Sequence, residues 1–422
     1  MGDTYAAEKS RTAAETAYRQ ASAARPQDPT PYLRLARLYL AWNRPEEGMS
    51  ALLSAEERGA DPREVASLRA ALYAARGDWE QVVVWGERAL ALGDDRPTRR
   101  LLAQGYLWLG KEEAARATYQ FLAESDPEDL EACERAGFLL ALIDPAAALP
   151  YLRAASTPLS SDLMAALEDE DIARRMARMG QVALARGEPA LAARALERAV
   201  AWDPASADAR ALLGHALALL GRSDDARVHL EAAARQAPDS PLARSLLGLY
   251  YLRQGNLAAA RPHLEAAYDL DPQNPAFALY LASLYAELGD YVVVDIWLAE
   301  ATRLAPEDPD VWEVTVRFYL ERRLGDPRGV EAARALVRLT PERGEAHGLL
   351  GRALLFAGDS AGAEAALRRA LELSPDLASA HADLGRLYAL QGRWDLADRE
   401  FLRALDLNTD PALRQEIERM RE

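Results

Sequence analysis

Cysteine is almost absent. Cys133 is the only one in 422 residues, so no internal disulfide and no paired-cysteine metal or redox motif can form. Lysine is nearly absent too: only Lys9 and Lys111 occur, and arginine carries every other basic charge, a usage that reads as a GC-rich bacterial genome. Aromatic residues make up 7% of the chain. The longest apolar stretches are periodic and broken by Arg or Glu, which leaves no segment able to cross a membrane and no signal peptide. A cytoplasmic location is expected, with an exported or membrane-anchored setting if the native gene carries an upstream segment. The net charge of −16 repels phosphate backbones, which argues against a nucleic-acid partner.

What the chain does have is a clock. Gly187, Gly221, Gly255 and Gly289 stand 34 residues apart, as do Pro204, Pro238, Pro272 and Pro306. The step slips by one residue to Pro341 and resumes at Pro375, while Gly358 and Gly392 keep it. A period of this size means stacked supersecondary units rather than one globular core. In 207–240, Leu212, Leu213 and Leu217 form a first apolar-periodic segment that Gly221 ends; Ala226, Leu230 and Ala233 form a second, with Pro238 just beyond it. Glycine there suits a left-handed cap, and proline follows a helix end, so each unit reads as helix–turn–helix.

Small residues recur at fixed places. Gly180, Gly214, Gly248, Gly351 and Gly385 share the eighth place, and Ala192, Ala226, Ala260, Ala363 and Ala397 the twentieth. Larger side chains there would hold the helices apart. Leu196, Leu230, Leu264, Leu298, Leu367 and Phe401 fill the twenty-fourth place between them. The runs Val82–Val84 and Val292–Val294 have strand propensity, but both start a second helix in register, so both are expected to be helical.

With its Leu-Gly, Tyr, Gly, Ala, Leu or Phe, Ala and Pro in these places, the chain resembles the tetratricopeptide repeat family over nearly its whole length. The resemblance implies an all-α, right-handed superhelical solenoid of helix–turn–helix repeats. Residues 1–28 read as an N-terminal partial repeat or capping helix, 29–155 as repeats one to four, 173–411 as repeats five to eleven, and 412–422 as a C-terminal capping helix, with Asp410 its N-cap. Units two, four and nine depart from the pattern, the ninth by one extra residue near Leu324. Residues 156–172, ending in an acidic run from Glu168 to Asp171, fall outside the period. They read as an irregular insert or hinge, with a short extra helix as the alternative and a partner-binding insert as the remotest reading.

Catalytic signatures are missing. No nucleophile elbow, zinc-protease, phosphate-loop or dinucleotide motif occurs in its required context, so neither an enzyme nor a cofactor is expected. His229 and His263, and likewise His347 and His381, occupy equal places in neighbouring units; repetition explains them better than a metal site does.

The family resemblance implies protein or peptide binding on a concave groove lined by places 2, 5, 9, 12 and 13. Two patches stand out there. Leu107, Trp108, Phe138 and Leu142 form an apolar one, unless they pack against 156–172. Arg317, Arg352 and Arg386, with Phe356, form a basic one that suits an acidic ligand, unless Glu313 and Glu321 neutralise it. The family's Lys and Asn two-carboxylate clamp at places 5 and 9 is absent. The expected function is a scaffold or adaptor; the alternatives are the interaction domain of an anchored or exported assembly factor and, more remotely, an enzyme. Self-association through repeat edges is a further expectation.

Overall fold

The computed structural model describes residues 11–323, 325–407 and 411–421. Among these residues are 25 helices and no strand, so the fold is an all-α repeat solenoid. The N-cap expected at Asp410, the extra residue expected near Leu324 and the first ten residues of the expected partial repeat lie outside the described residues.

Local chemistry builds each hairpin. In 207–240 the Ser206 side chain accepts from the Ala209 N–H and starts the helix Ala207–Leu219. Gly221 ends it at φ +76°, a conformation that favours glycine. The Gly221 N–H then donates to the Ala218 carbonyl at 3.1 Å and the Arg222 N–H to the Leu217 carbonyl at 2.9 Å, which satisfies the last turn. Ser223–Gln236 runs back as the second helix. Both valine runs lie in helices, Trp79–Leu92 and Tyr291–Leu304. Packing over their neighbours outweighs strand propensity.

The eighth-place glycines are steric. A Cβ on Gly214 would come 2.6 Å from Leu230 Cγ and 3.0 Å from the Ala226 carbonyl oxygen. One on Gly385 would come 2.6 Å from the Phe401 ring. Gly214→Ala is therefore expected to cost about 1–3 kcal/mol by forcing the two helices apart. Thermal denaturation checks this; an unchanged midpoint would mean the hairpin has slack at this place.

The segment 156–172 is not an irregular hinge. Pro158–Leu167 is a helix opened by a reciprocal cap, with the Ser160 N–H donating to Thr157 Oγ1 at 3.0 Å and the Thr157 N–H to Ser160 Oγ at 2.8 Å. It packs on helices Leu130–Ala141, Pro145–Ala155 and Ile172–Ala185. The extra-helix alternative is the one observed.

The chain forms two compact units, one of Pro62–Val294 and one of the segments up to Asp61 and from Asp295 onward. Neither boundary falls in 156–172. In the discontinuous unit, helix Arg11–Ala24 packs on helices Thr30–Ala41 and Trp394–Leu407. The Arg414 guanidinium, on the last helix Pro411–Arg421, lies 4.9 Å from the Trp42 ring centre. The first hairpin and the final helices thus belong to one body.

Candidate functional site

The apolar patch is core, not a ligand surface. Phe138, Leu107 and Leu142 are 0%, 3% and 6% exposed. They share a buried cluster with Leu159 and Leu163 of the extra helix and with Leu191 and Ala193 of helix Pro189–Trp202. Trp108 remains half-buried and stacks on Trp79 of the preceding repeat, ring centres 5.1 Å apart and planes 13° from parallel. Its partner is therefore Trp79, a contact the sequence reading missed.

Helix Pro189–Trp202 explains much of this cover. In the next repeat, places 18 and 21 hold exposed Asp224 and Arg227; here they hold buried Ala190 and Ala193. The face that is usually wet packs instead toward repeats three and four. Arg198 grips Glu112 through both guanidinium nitrogens at 2.8 and 2.7 Å. Arg135 grips Glu188 through two bonds of 2.8 Å. Burial opposes the Arg135 charge most strongly, but Glu188, Tyr119 and Glu131 together outweigh it and raise the guanidinium pKa. Ala193, at a place that holds Arg116, Arg227, Arg261 and Asp295 in other repeats, was the readable sign of this contact.

The basic row is neutralised from within. Arg317 pairs with Glu313 of its own helix at 2.7 Å. Arg352 donates to Asp383 at 2.8 Å. Arg386 pairs with Glu416 on the final helix, donates to the Met420 sulfur at 3.1 Å and lies 5.0 Å from the Phe356 ring centre. Of the two carboxylates expected to neutralise the row, Glu313 does so; Glu321 makes no such pair among the described residues. Asp383 is almost wholly buried, and burial pushes its carboxyl pKa up while Arg352 pulls it back. These are structural ion pairs rather than a vacant anion seat.

Three of the four repeated histidines have partners at home, while His229 Nδ1 is buried without a hydrogen-bond partner among the described residues. His347 Nε2 and His381 Nε2 lie 2.8 and 3.1 Å from the carbonyls of Pro341 and Pro375. His263 stacks on Tyr251 and approaches Arg244. Among the described residues, no group of three His, Cys, Asp or Glu side chains converges as a metal site would require. No described helix is long and apolar enough to cross a membrane.

A different cation stands free. First helices Ala207–Leu219, Pro241–Arg253 and Pro275–Glu287 pack in succession. From them come half-buried His215, exposed Arg253 and half-buried Tyr280. Arg253 makes no ion pair among the described residues, unlike the three arginines of the basic row. Burial pulls the His215 pKa down to about 4, and Arg253 adds to the effect. Burial raises that of Tyr280, and Arg253 opposes it. Half-buried Leu249 and Leu252 share the helix of Arg253. No row of like residues marks Arg253, because place 13 varies from repeat to repeat. To one side, Glu170, Asp171, Arg174, Trp202, Asp203 and Ser206 line an open cavity of about 720 Å³ with Trp202 64% exposed.

Comparison with known proteins agrees with the hairpin geometry. Tetratricopeptide repeat models match residues 5–72, 183–250, 251–317, 316–378 and 349–410. No curated protein matches the sequence. Among solved structures, yeast Tom70 is 14% identical with a TM-score of 0.45, over 85% of this chain and 95% of that one. Cut9–Hcn1 of the APC/C is 14% identical with a TM-score of 0.43, over 100% of this chain and 95% of that one. A tetratricopeptide repeat protein from Parabacteroides merdae is 14% identical with a TM-score of 0.44, over 59% of this chain and 98% of that one.

Proposed function

Because the chain belongs to the tetratricopeptide repeat family, we propose that it is a protein-interaction scaffold that binds a partner segment on the first-helix face of residues 172–287. The observation that supports this reading is that first helices Ala207–Leu219, Pro241–Arg253 and Pro275–Glu287 pack in succession and carry exposed Arg253 and Leu219 with half-buried His215, Leu249, Leu252 and Tyr280. Apolar side chains supply contact area, and a small number of convergent polar groups fix orientation. The apolar and basic patches that the sequence favoured are already occupied by the chain itself. The bound species is a peptide or protein segment, and no catalytic step is assigned to the face.

A photo-crosslinking amino acid tests the placement. At Leu249 it lies on the proposed face; at Val228, which is 57% exposed on a second helix, it lies off that face. Partners in source lysate are expected to crosslink from position 249 and not from 228. Crosslinks from 228 alone would move the binding surface to the second helices.

A further inference from the structure

We infer that Arg244 and His263 form an acid-sensitive joint, which loosens the hairpin 241–270 when the imidazole takes up a proton, while the hairpin 378–407 carries the opposite charge pattern and holds. Both joints use places 4 and 23 of their repeats, where the first helix meets the second. Arg244 Nη1 lies 3.2 Å from His263 Nδ1. A guanidinium can only donate, so Nδ1 accepts and the ring is neutral. The guanidinium is anchored in place, because its Nε donates to the Pro238 carbonyl at 2.9 Å. Tyr251 stacks on the imidazole, ring centres 6.0 Å apart and planes 18° from parallel. A proton on Nδ1 removes the acceptor and sets two cations on facing helices against each other. In the last repeat place 4 is His381 and place 23 is Glu400, with His381 Nδ1 2.6 Å from the carboxylate. A charged imidazole there meets an anion, so the same event joins the helices.

No anion compensates at His263. Its helix Leu257–Leu270 packs on Pro241–Arg253 and Pro275–Glu287. The first brings Arg244 and Tyr251, and the Tyr251 hydroxyl is spent on Glu231 at 3.0 Å. The second brings Tyr285, which donates to Glu265 at 3.1 Å, a carboxylate that Arg261 also holds at 2.7 Å. Tyr250, Arg253, Tyr280 and Glu287 on those helices do not act on the ring, nor do Tyr268 and Asp269 on its own. Burial, and then Arg244, holds the His263 pKa below its ordinary 6.5. A histidine depressed in this way binds fewer protons folded than unfolded. Its contribution to stability is complete above pH 6.5 and is lost as pH falls from there toward the lowered folded value. Arg210 and His229 stand at the same two places one repeat earlier, but Asp225 partly offsets the repulsion there.

Amide exchange of the full chain reads the joint directly. Expressed as protection factors, it is free of the intrinsic pH dependence of exchange. Between about pH 7.5 and about pH 5.5, protection of helices Pro241–Arg253 and Leu257–Leu270 is expected to fall about three- to tenfold, the range open to one histidine a unit below its unfolded midpoint. Protection of Ala378–Leu390 and Trp394–Leu407 should hold or rise. His263→Gln keeps an acceptor for Arg244 but cannot charge, so the fall should vanish. Arg244→Gln removes the opposing cation, so the fall should shrink. Protection at 241–270 that ignores pH, an equal fall at 378–407, or a fall that survives His263→Gln would each overturn the joint. A fall undiminished by Arg244→Gln would overturn it as well and leave burial of the imidazole as the cause. Exchange is read on the chain alone, so these outcomes stand apart from the binding face proposed above.

Discussion

Phe138→Ala is expected to destabilise the Pro62–Val294 unit by about 3–5 kcal/mol while leaving ligand binding on helices 207–287 intact. The place that Phe138 holds is wet in most repeats: Ser283 and Arg317 are exposed there, and His215 and Leu249 half-buried. In repeat four it is sealed by the extra helix Pro158–Leu167, which contacts the helix of Phe138 and contributes Leu159 and Leu163 to the same cluster. Removing the ring takes away its transfer energy and leaves a cavity that fixed helices on several sides cannot fill. Hydrogen exchange of helices Leu130–Ala141 and Pro158–Leu167 reads the loss locally. If exchange there is unchanged and partner binding is lost instead, Phe138 is a contact residue and its burial is relieved in solution.

The second large effect belongs to Arg352. Arg352→Ala removes the cation that faces Asp383 and leaves a carboxylate enclosed without a counter-charge. For a fully buried pair this costs about 3–5 kcal/mol. Arg352 is 31% exposed, so about 2–4 kcal/mol is expected here. Arg317→Ala should cost less than about 1 kcal/mol, because Arg317 is 54% exposed and its pairing is screened by water. The two losses should also differ in pH dependence. Burial already holds the Asp383 pKa above its ordinary value, and loss of Arg352 raises it further. A carboxyl whose folded pKa is raised destabilises the fold increasingly as pH rises above its unfolded value. The Arg352→Ala deficit should therefore shrink as pH falls toward 4, while the Arg317→Ala effect stays small. Exchange protection of helices Gly344–Phe356 and Ala378–Leu390, followed from neutral pH downward, checks both statements. Equal, small and pH-independent losses would return Arg352 to the role of a free binding residue.

Both effects show where sequence and structure part. The hairpins were legible because their causes lie within one period: Gly221 ends a helix by its left-handed φ, and Gly214 admits Leu230 by lacking a Cβ. The family pattern follows from those short-range constraints. The functional surface was less legible because it depends on what packs across repeats. One extra helix, capped by Thr157 and Ser160 outside the 34-residue period, changes which faces are covered. Arg135 meets Glu188 across 53 residues and Arg198 meets Glu112 across 86, distances at which periodicity carries no signal. Ala193 did carry one, since Arg116, Arg227 and Arg261 stand at its place in other repeats. The arginine row stands out as a row, yet Glu313, Asp383 and Glu416 each pair with one of its three charges. Arg253 has no repeat-equivalent, so no row of like residues marks it.

The most direct test compares three proteins against one displayed library of peptides: the wild type, Arg253→Glu and Arg317→Glu. Neither substitution touches a core position, so folding is not at stake. Peptides selected by the wild type should carry apolar residues that match the half-buried leucines of this face. They should be lost with Arg253→Glu and retained with Arg317→Glu. Retention by Arg253→Glu together with loss by Arg317→Glu would contradict the account and place the binding surface on the arginine row instead.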